Sequence, residues 1–283
     1  MNHIERVTTL IGEDIVDSRE VAQGQVGIVL WLKCESGREL VAKFNGEHNE
    51  NLLIEARMLD DLAALADIPS PTVIARAADC LVMPYVPSHR GRESPRAEEH
   101  AARCVASLHD HGNERYGYDY DTLIGGLEQP NPWEDDWLTF FSKHRLLRMG
   151  QQCVEHKRFG QDTMQQLAKL VDKLPDLIPE PRAPGLVHGD LWGGNVLWGE
   201  DRVAGFIDPA LYYADPEVEL AFSTMFQTFT PRFYDAYNEI RPISDDFWEV
   251  RKPLYNLYPL LVHVRIYGGG YQSEFEQTLK RFV

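Results

Sequence analysis

Cysteine is scarce in this 283-residue sequence, and Cys34, Cys80, Cys104 and Cys153 lie far apart without a CxxC pair. Neither a zinc site nor a disulfide framework is therefore predicted, and a reducing cytoplasm is the expected compartment. Long apolar runs are also missing. The longest uncharged apolar stretch, 253–264, is too short to cross a bilayer, and the N-terminus carries charges where a secretory signal needs apolar residues. We expect a cytoplasmic protein without a membrane partner.

Positive charge is in deficit as well. The 28 Lys and Arg residues stand against 44 Asp and Glu residues, so the formal net charge is −16. Such a chain repels nucleic acid and anionic lipid, and neither is an expected partner. The contents of hydrophobic residues (43%), glycine (21) and proline (17) are ordinary and exclude a disordered or collagen-like chain. The length exceeds the common domain size of about 100–150 residues, which indicates one large domain or two lobes around a cleft.

The N-terminal part of the sequence predicts strands and one helix. The apolar segments GIVLWLKC at 27–34 and ELVAKF at 39–44 flank the turn signal ESGR, as in an antiparallel hairpin. Apolar residues at spacings of three and four predict an amphipathic helix over 47–66. A further strand is predicted over 80–87, where two prolines remove backbone donors and convert the strand into an extended connector.

The remaining sequence is mostly helical and shows no internal repeat. Helices are predicted at 95–110, 132–149, 161–174, 216–228, 231–240 and 245–264. Together these elements predict a smaller β-rich lobe over 1–83, a hinge at 84–87 and a larger helical lobe over 88–283. Active sites commonly form in the cleft between two such lobes.

The segment LVHGDLWGGNVLW at 186–198 combines polar side chains with three glycines between apolar ends. Asp190 is followed by Asn195 five residues later, and Asp208 ends the next apolar run. In phosphoryl transfer one carboxylate deprotonates the attacking hydroxyl, while a carboxylate and an amide oxygen hold Mg²⁺ on the nucleotide phosphates. These residues predict that chemistry. The structural alternative is that Asp190 and Asn195 only form Asx turns and that Asp208 only caps the end of a strand.

A phosphate-binding lysine in the β-rich lobe would support this interpretation, and VAKF at 41–44 supplies Lys43. Glu55 follows on the predicted helix, and an ion pair between the two would direct the ammonium onto the α- and β-phosphates. The alternative is that Lys43 has no binding role and that its charge is exposed to solvent, as is usual for a lysine on a strand. A Walker-type GxxxxGK[ST] motif is absent, which argues against a P-loop fold.

Two further segments are candidates for nucleotide contacts. QGQVG, with Gly24 and Gly27, precedes the first hairpin strand and could cover the phosphates with backbone N–H groups, although it is far from a full GxGxxG motif. Met83, Pro84, Tyr85 and Val86 form the connector MPYV, where backbone groups could bind adenine. Pro84 offers only its carbonyl, so the N–H of Val86 would donate to the ring. A rigid interlobe linker is the alternative.

The sequence resembles the fructosamine (ketosamine) kinase family, a branch of the protein-kinase-like phosphotransferases related to aminoglycoside and choline kinases. The resemblance extends from Lys43 nearly to the C-terminus. It is carried by HGDLWGGN at 188–195, FIDPALYYADPEVELA at 206–221, GYDYDTLIGGLEQPNPWEDDWLTFFSKHRL at 117–146 and LYPLLVHVRIYGGGY at 257–271. The glycine-rich loop matches poorly. The resemblance implies a two-lobed α+β fold with a small β-rich N-lobe and a larger, mainly helical C-lobe.

The family resemblance also implies roles for the candidate residues. Asp190 corresponds to the catalytic base, and Asn195 and Asp208 to the magnesium ligands. Lys43 and Glu55 correspond to the phosphate-side ion pair, and residues 83–86 to the adenine hinge.

The implied reaction is ATP- and Mg²⁺-dependent phosphorylation of a sugar hydroxyl, O3 in this family, on a ketoamine formed by glycation with glucose or ribose. The product is unstable and releases the amine, so the implied role is deglycation. The substrate is either a small ketoamine or a glycated protein, and Trp192 is a candidate for stacking on its sugar ring. An aminoglycoside-like or choline-like kinase, and a non-catalytic nucleotide-binding protein, are the alternatives. The oligomeric state stays open.

Overall fold

A five-stranded antiparallel sheet dominates the N-terminal part of the computed structural model, with strand order β1-β2-β3-β5-β4. The structure describes residues 2–24, 27–45, 52–88 and 94–283. The strands are β1 (Ile15–Gly24), β2 (Gly27–Cys34), β3 (Glu39–Phe44), β4 (Ala75–Ala77) and β5 (Cys80–Pro84). The predicted hairpin is confirmed, since β2 pairs with β3 from Ile28↔Phe44 to Lys33↔Glu39. The polar strand β1 was not predicted and lies at the sheet edge, largely exposed.

Two helices cover opposite faces of this sheet. Helix α1 (His3–Ile11) inserts Val7 among Leu32, Leu40 and Val82, and an Asn2–Glu5 capping box begins it. Helix α2 (Leu52–Leu65) packs Leu52, Ala56 and Leu59 against Leu81 and Met83 of β5. The N-terminal end of the helix predicted over 47–66 lies outside the described residues. Because Met58 and Leu62 join the core of the helical part, α2 is held between two apolar clusters.

Strand β5 ends at Pro84, and residues 85–88 have no regular secondary structure. The change from strand to extended connector over 80–87 is therefore confirmed, and the missing proline donor is its physical reason. The assignment of 84–87 as the boundary between two lobes stays a prediction. In the described part of the chain, no helix is long and apolar enough to cross a membrane.

The chain from residue 94 onward is mainly helical. Its helices are α3 (Pro95–His109), α4 (Trp137–Phe140), α5 (Arg148–Glu155), α6 (Gln161–Leu177), α7 (Glu217–Ser223), α8 (Pro231–Ile240), α9 (Lys252–Tyr255), α10 (Leu257–Ile266) and α11 (Gly270–Phe282). Three two-stranded antiparallel pairs are β6 (Thr122–Ile124) with β7 (Leu127–Gln129), β8 (Gly185–Val187) with β11 (Tyr212–Ala214), and β9 (Val196–Trp198) with β10 (Val203–Phe206). The predicted helices at 95–110, 161–174 and 231–240 are confirmed.

Three predicted helices differ from the structure. The helix predicted from 132 begins at Trp137, because the Asp136 side chain accepts from the Thr139 N–H at 2.7 Å and caps it. The helix predicted over 216–228 ends at Ser223. The helix predicted over 245–264 is divided into a π-helical segment (Phe247–Arg251), α9 and α10, with prolines in the first turns of α9 and α10. Helix α11 was not predicted.

Candidate active site

The loop of residues 188–195, which we name the catalytic loop, lies between β8 and β9. Strand β8 pairs with β11, and the Ala210 N–H donates to the His188 carbonyl at 2.7 Å, which fixes the start of the loop. Gly189 has φ +83, and a Cβ there would collide with the carbonyl oxygen of Ala210. Only glycine accepts this conformation at so close an approach. The glycine thus lets the chain turn directly before Asp190.

The structure brings Asp190 and Asn195 into direct contact. The Asn195 side-chain amide donates to both the backbone oxygen and the carboxylate Oδ2 of Asp190, each at 2.8 Å. Burial raises the pKa of Asp190 to about 7, and the nearby Asp208 charge adds to this, while the Asn195 hydrogen bond opposes it. A carboxyl group with a pKa near neutrality is suited to accept a proton from a hydroxyl and to release it again.

Asp208 follows β10 and lies close to Lys43 in the same cavity. Its backbone has φ +54, a left-handed conformation that aspartate tolerates better than most residues. Its Oδ1 lies 3.4 Å from the Lys43 Nζ, and the Ile207 N–H before it donates to the Asn195 carbonyl at 3.0 Å. The predicted magnesium ligands Asn195 and Asp208 are therefore held on adjacent segments.

The predicted ion pair between Lys43 and Glu55 is present in the structure. Lys43 Nζ lies 2.6 Å from Glu55 Oε2, and both side chains are buried. Burial alone lowers the pKa of Lys43, but Asp208 and Glu55 together raise it above the ordinary value. The ammonium therefore stays charged, and the carboxylates of Glu55 and Asp208 both contact it.

These five side chains line one cavity of about 610 Å³, a size suited to a small ligand. Trp192 also lines it and is 40% exposed, so its ring is accessible for stacking. Among the described charged residues that line the cavity, Glu219 is the one not predicted. Its Oε1 accepts from the Gly189 N–H at 2.7 Å and its Oε2 contacts His109 Nε2 at 2.9 Å.

The sequence offered little signal for Glu219, since thirty residues separate it from Gly189. It lies in the first turn of α7 within a family-like block, but an acidic residue at such a position is usually solvated. Only its complete burial marks it as a support of the catalytic loop.

The two segments predicted to contact the nucleotide, QGQVG at 23–27 and the connector at 83–86, differ in their position relative to the cavity. Gly27 lines the cavity, and Gly24 pairs with it at the end of the β1–β2 ladder. Residues 25 and 26 of QGQVG lie outside the described residues. The four connector residues are not among those lining the cavity: Met83, Pro84, Tyr85 and Val86.

The backbone of the connector is compatible with the prediction that the Val86 N–H donates to adenine. The Tyr85 N–H donates to the Glu39 carbonyl at 3.0 Å and is not available to a nucleotide. The Val86 N–H, the predicted adenine donor, donates to no described residue. Its role in binding stays a prediction.

The donor set fits Mg²⁺ held jointly with a nucleotide. Asn195 uses its amide nitrogen for both contacts with Asp190, which leaves its side-chain oxygen as an available ligand beside the carboxylate of Asp208. Mg²⁺ typically binds one or two protein oxygens and completes its shell with water and phosphate. No group of three or more His, Cys, Asp or Glu that could hold a metal occurs within the described ranges. Such a site therefore depends on phosphate ligands.

Comparisons with known proteins agree over nearly the whole chain. The sequence model of the family described as fructosamine kinase matches residues 2–283. A probable ketoamine kinase of Synechocystis sp. is 36% identical over 237 residues, which are 80% of this chain and 77% of that protein. A probable ketoamine kinase of Escherichia coli K12 is 32% identical over 265 residues, which are 89% of this chain and 85% of that protein.

Solved structures show the same architecture. A protein of Thermobifida fusca named "putative fructosamine-3-kinase" has a TM-score of 0.86 at 28% identity, covering 99% of this chain and 97% of that chain. The aminoglycoside phosphotransferase APH(4)-Ia, solved with ADP and hygromycin B, has a TM-score of 0.69 at 14% identity, covering 99% and 96%. The predicted two-lobed, protein-kinase-like α+β fold is confirmed by these neighbours.

Proposed function

The chain belongs to the fructosamine kinase family and is a phosphotransferase that acts on a sugar hydroxyl, and we propose that Asp190 is its catalytic base. The observation that carries this proposal is the convergence of Lys43, Asp190, Asn195 and Asp208 on one cavity. The family is one of kinases, so the phosphoryl donor is ATP. The APH(4)-Ia neighbour, which binds ADP in the same fold, supports a nucleotide in this cleft.

In the proposed reaction the acceptor hydroxyl lies against Asp190. The carboxylate takes the hydroxyl proton as the new bond between the sugar oxygen and the γ-phosphorus forms, and the bond to the β–γ bridging oxygen breaks to release ADP. Asn195 holds the carboxylate in place through its 2.8 Å hydrogen bond. Lys43, positioned by Glu55, neutralises charge on the nucleotide phosphates.

Asn195 and Asp208 are the proposed ligands of Mg²⁺. When bound there, the ion neutralises phosphate charge and aligns the γ-phosphoryl group for transfer. Lys43 Nζ lies 3.4 Å from Asp208 Oδ1, so the lysine and this proposed metal ligand are close enough to act on the same phosphates.

The proposed acceptor is a ketoamine, phosphorylated at O3 of its sugar, with Trp192 stacked on the sugar ring. The names of the bacterial relatives support a ketoamine substrate. The cavity volume of about 610 Å³ accommodates a free ketoamine or a glycated side chain entering from the surface. Release of the amine from the unstable product would make this a deglycation reaction. A cytoplasmic location is kept as a prediction.

One activity panel tests this proposal. Purified protein with ATP and Mg²⁺ is offered fructosyl-lysine, ribulosyl-lysine, a glycated peptide, an aminoglycoside or choline, and ADP release and ³¹P NMR are recorded. We expect turnover of the ketoamines and a phosphate ester on the sugar. Turnover confined to the aminoglycoside or to choline would favour that alternative kinase and contradict the proposal. The Asp190→Asn variant controls for contaminating activity.

A further inference from the structure

A cluster of aromatic side chains lines the cavity beyond Trp192 and has no part in phosphate chemistry. We name Phe226, His263, Tyr267 and Tyr271 the aromatic wall; all four line the cavity. Neighbouring ring centroids lie 5.3 Å apart for Phe226 and His263 and 4.7 Å apart for His263 and Tyr271. Phe226 also meets the Trp192 ring edge-on at 5.9 Å, so the wall continues directly from the proposed sugar platform.

The wall is accessible although it is aromatic. Of its four side chains, Tyr267 is 54% exposed and Phe226 is 37% exposed. Exposed apolar surface at the mouth of a binding cavity typically marks a ligand contact. The wall therefore offers apolar area that a bound molecule can cover.

The position of the wall is fixed by the turn between α10 and α11. Gly268 and Gly269 both have left-handed φ angles, +67 and +61, which reverse the chain between the two tyrosines. Arg158 donates to the carbonyls of Arg265 (3.1 Å) and Ile266 (2.9 Å) and holds the end of α10. The turn thus presents both tyrosines to the cavity from a supported backbone.

The wall carries no formal charge at neutral pH. His263 donates from Nδ1 to the Pro259 carbonyl at 2.7 Å, and burial lowers the pKa of its ring, so the imidazole is neutral. The charged side chains among the described lining residues are Lys43, Glu55, Asp190, Asp208 and Glu219. All five contact each other or support the catalytic loop. Lys43 is the one cation among these five, and Glu55 and Asp208 already pair with it, so a carboxylate placed against the wall would find no unpaired cation among the described lining residues.

We propose that the aromatic wall is the subsite for the amine substituent of the ketoamine and that it selects aromatic or apolar substituents over those bearing a carboxylate. This inference depends on the proposed ketoamine function. In a ketoamine the amine is attached two carbons from the phosphorylated position, so a sugar on Trp192 with its hydroxyl at Asp190 leaves the substituent to extend along the wall. Aromatic contacts with such a substituent add to the burial of its apolar area.

The test compares fructosyl adducts that differ only in the amine: benzylamine, propylamine and glycine. We expect kcat/KM to fall in that order, with the benzylamine adduct about tenfold above the glycine adduct, which corresponds to roughly 1.4 kcal/mol. In the double variant Phe226→Ala, Tyr267→Ala this ratio should fall towards unity, whereas Tyr267→Phe, which keeps the ring, should retain it. Trp248→Ala is the matched control, since Trp248 is 45% exposed and outside this cavity.

The possible outcomes separate the two proposals. Equal kcat/KM values for the three adducts, or a ratio that survives removal of both rings, would overturn the subsite while leaving ketoamine kinase activity intact. Failure to phosphorylate any ketoamine would overturn the proposed function and, with it, the subsite. Unchanged ATP binding in each variant verifies that the fold is retained.

Discussion

Asn195 donates its side-chain amide to the carboxylate of Asp190 at 2.8 Å, so a proposed magnesium ligand directly orients the proposed base. The two residues are five positions apart, and the short 3₁₀ turn Gly193–Asn195 closes the distance between them. In the proposed mechanism, the Asn195 amide group therefore links proton acceptance to metal binding.

Replacing the base should abolish transfer without abolishing nucleotide binding. Asp190→Asn keeps the shape of the side chain but removes the proton acceptor, and loss of a general base typically lowers kcat by about 10²–10⁴-fold. Steady-state kinetics give kcat, and calorimetry with ADP gives nucleotide affinity, which should stay near that of the parent. Full activity in Asp190→Asn would refute the assignment.

Removing the linking amide should affect magnesium as well as rate. Asn195→Ala deletes a proposed ligand and frees the Asp190 carboxylate, so the Mg²⁺ concentration for half-maximal activity should rise by at least about tenfold, or roughly 1.4 kcal/mol. A Mg²⁺ titration of the initial rate measures this. An unchanged Mg²⁺ requirement would show that Asn195 serves only to orient the base.

Two variants should separate the contribution of the buried Lys43–Glu55 pair to stability from its contribution to activity. Lys43→Met leaves the Glu55 carboxylate buried beside Asp208 without its cation, and breaking such a pair typically costs about 3–5 kcal/mol. The double variant Lys43→Met, Glu55→Leu removes both charges and should recover most of the free energy of unfolding, measured by urea denaturation. ATP turnover should stay low in both variants. Recovery of activity in the double variant would argue against a phosphate role for Lys43.

Helix α2, which carries Glu55, is tied to the helical part of the chain through Asp61. Tyr120 and Tyr118 donate to the Asp61 Oδ2 at 2.6 and 3.1 Å. Asp61→Leu should therefore loosen α2, lower the free energy of unfolding by about 1.5–3 kcal/mol and raise the KM for ATP. Denaturation and kinetics measure these two effects.

Asp60→Asn is the matched control for this contact. Asp60 lies next to Asp61 on α2, but it pairs with Arg76 on the surface, where ion pairs contribute about 0–1 kcal/mol. The two variants should differ clearly in KM for ATP. Equal effects would contradict the anchoring role of Asp61.

Glu219 should give the protein a measurable pH dependence of stability. Burial by itself raises the pKa of Glu219, but the hydrogen bond and charge of His109, with smaller contributions from His188 and the Gly189 N–H, outweigh it and hold the pKa below 4.5. A depressed carboxyl pKa stabilises the fold above the unfolded-state value, and this stabilisation is lost as pH falls through the folded-state value. Besides these groups, Asp190 also faces Glu219.

The Glu219→Gln variant tests this dependence. Its melting temperature should lie below that of the parent at pH 7, and the difference should shrink as the pH falls below 4.5, the ordinary glutamate value. Thermal denaturation across pH 3–8 measures both proteins. A difference that is constant with pH would show that the Glu219 charge does not contribute.

Several elements could be predicted because their signals are local. The β2–β3 hairpin follows from two alternating apolar segments around a turn, and the end of β5 follows from a proline. Helix α1 also has a local signal, the Asn2–Glu5 capping box. The π-helical segments Phe141–Leu147 and Phe247–Arg251 carry no comparable signal, because tertiary packing selects that helical geometry.

The sequence by itself determined which residue types the proposed chemistry can use: Asp190 as a base, the oxygens of Asn195 and Asp208 as metal ligands, and Lys43, with glycines where the catalytic loop must turn. Only the tertiary structure decided which other residues serve that chemistry. Glu219 reaches Gly189 across thirty residues, and Asp61 reaches Tyr120 across fifty-nine. The aromatic wall likewise joins Phe226 after α7 to tyrosines around the α10–α11 turn. Such contacts depend on how helices pack against one another, which no spacing along the chain records.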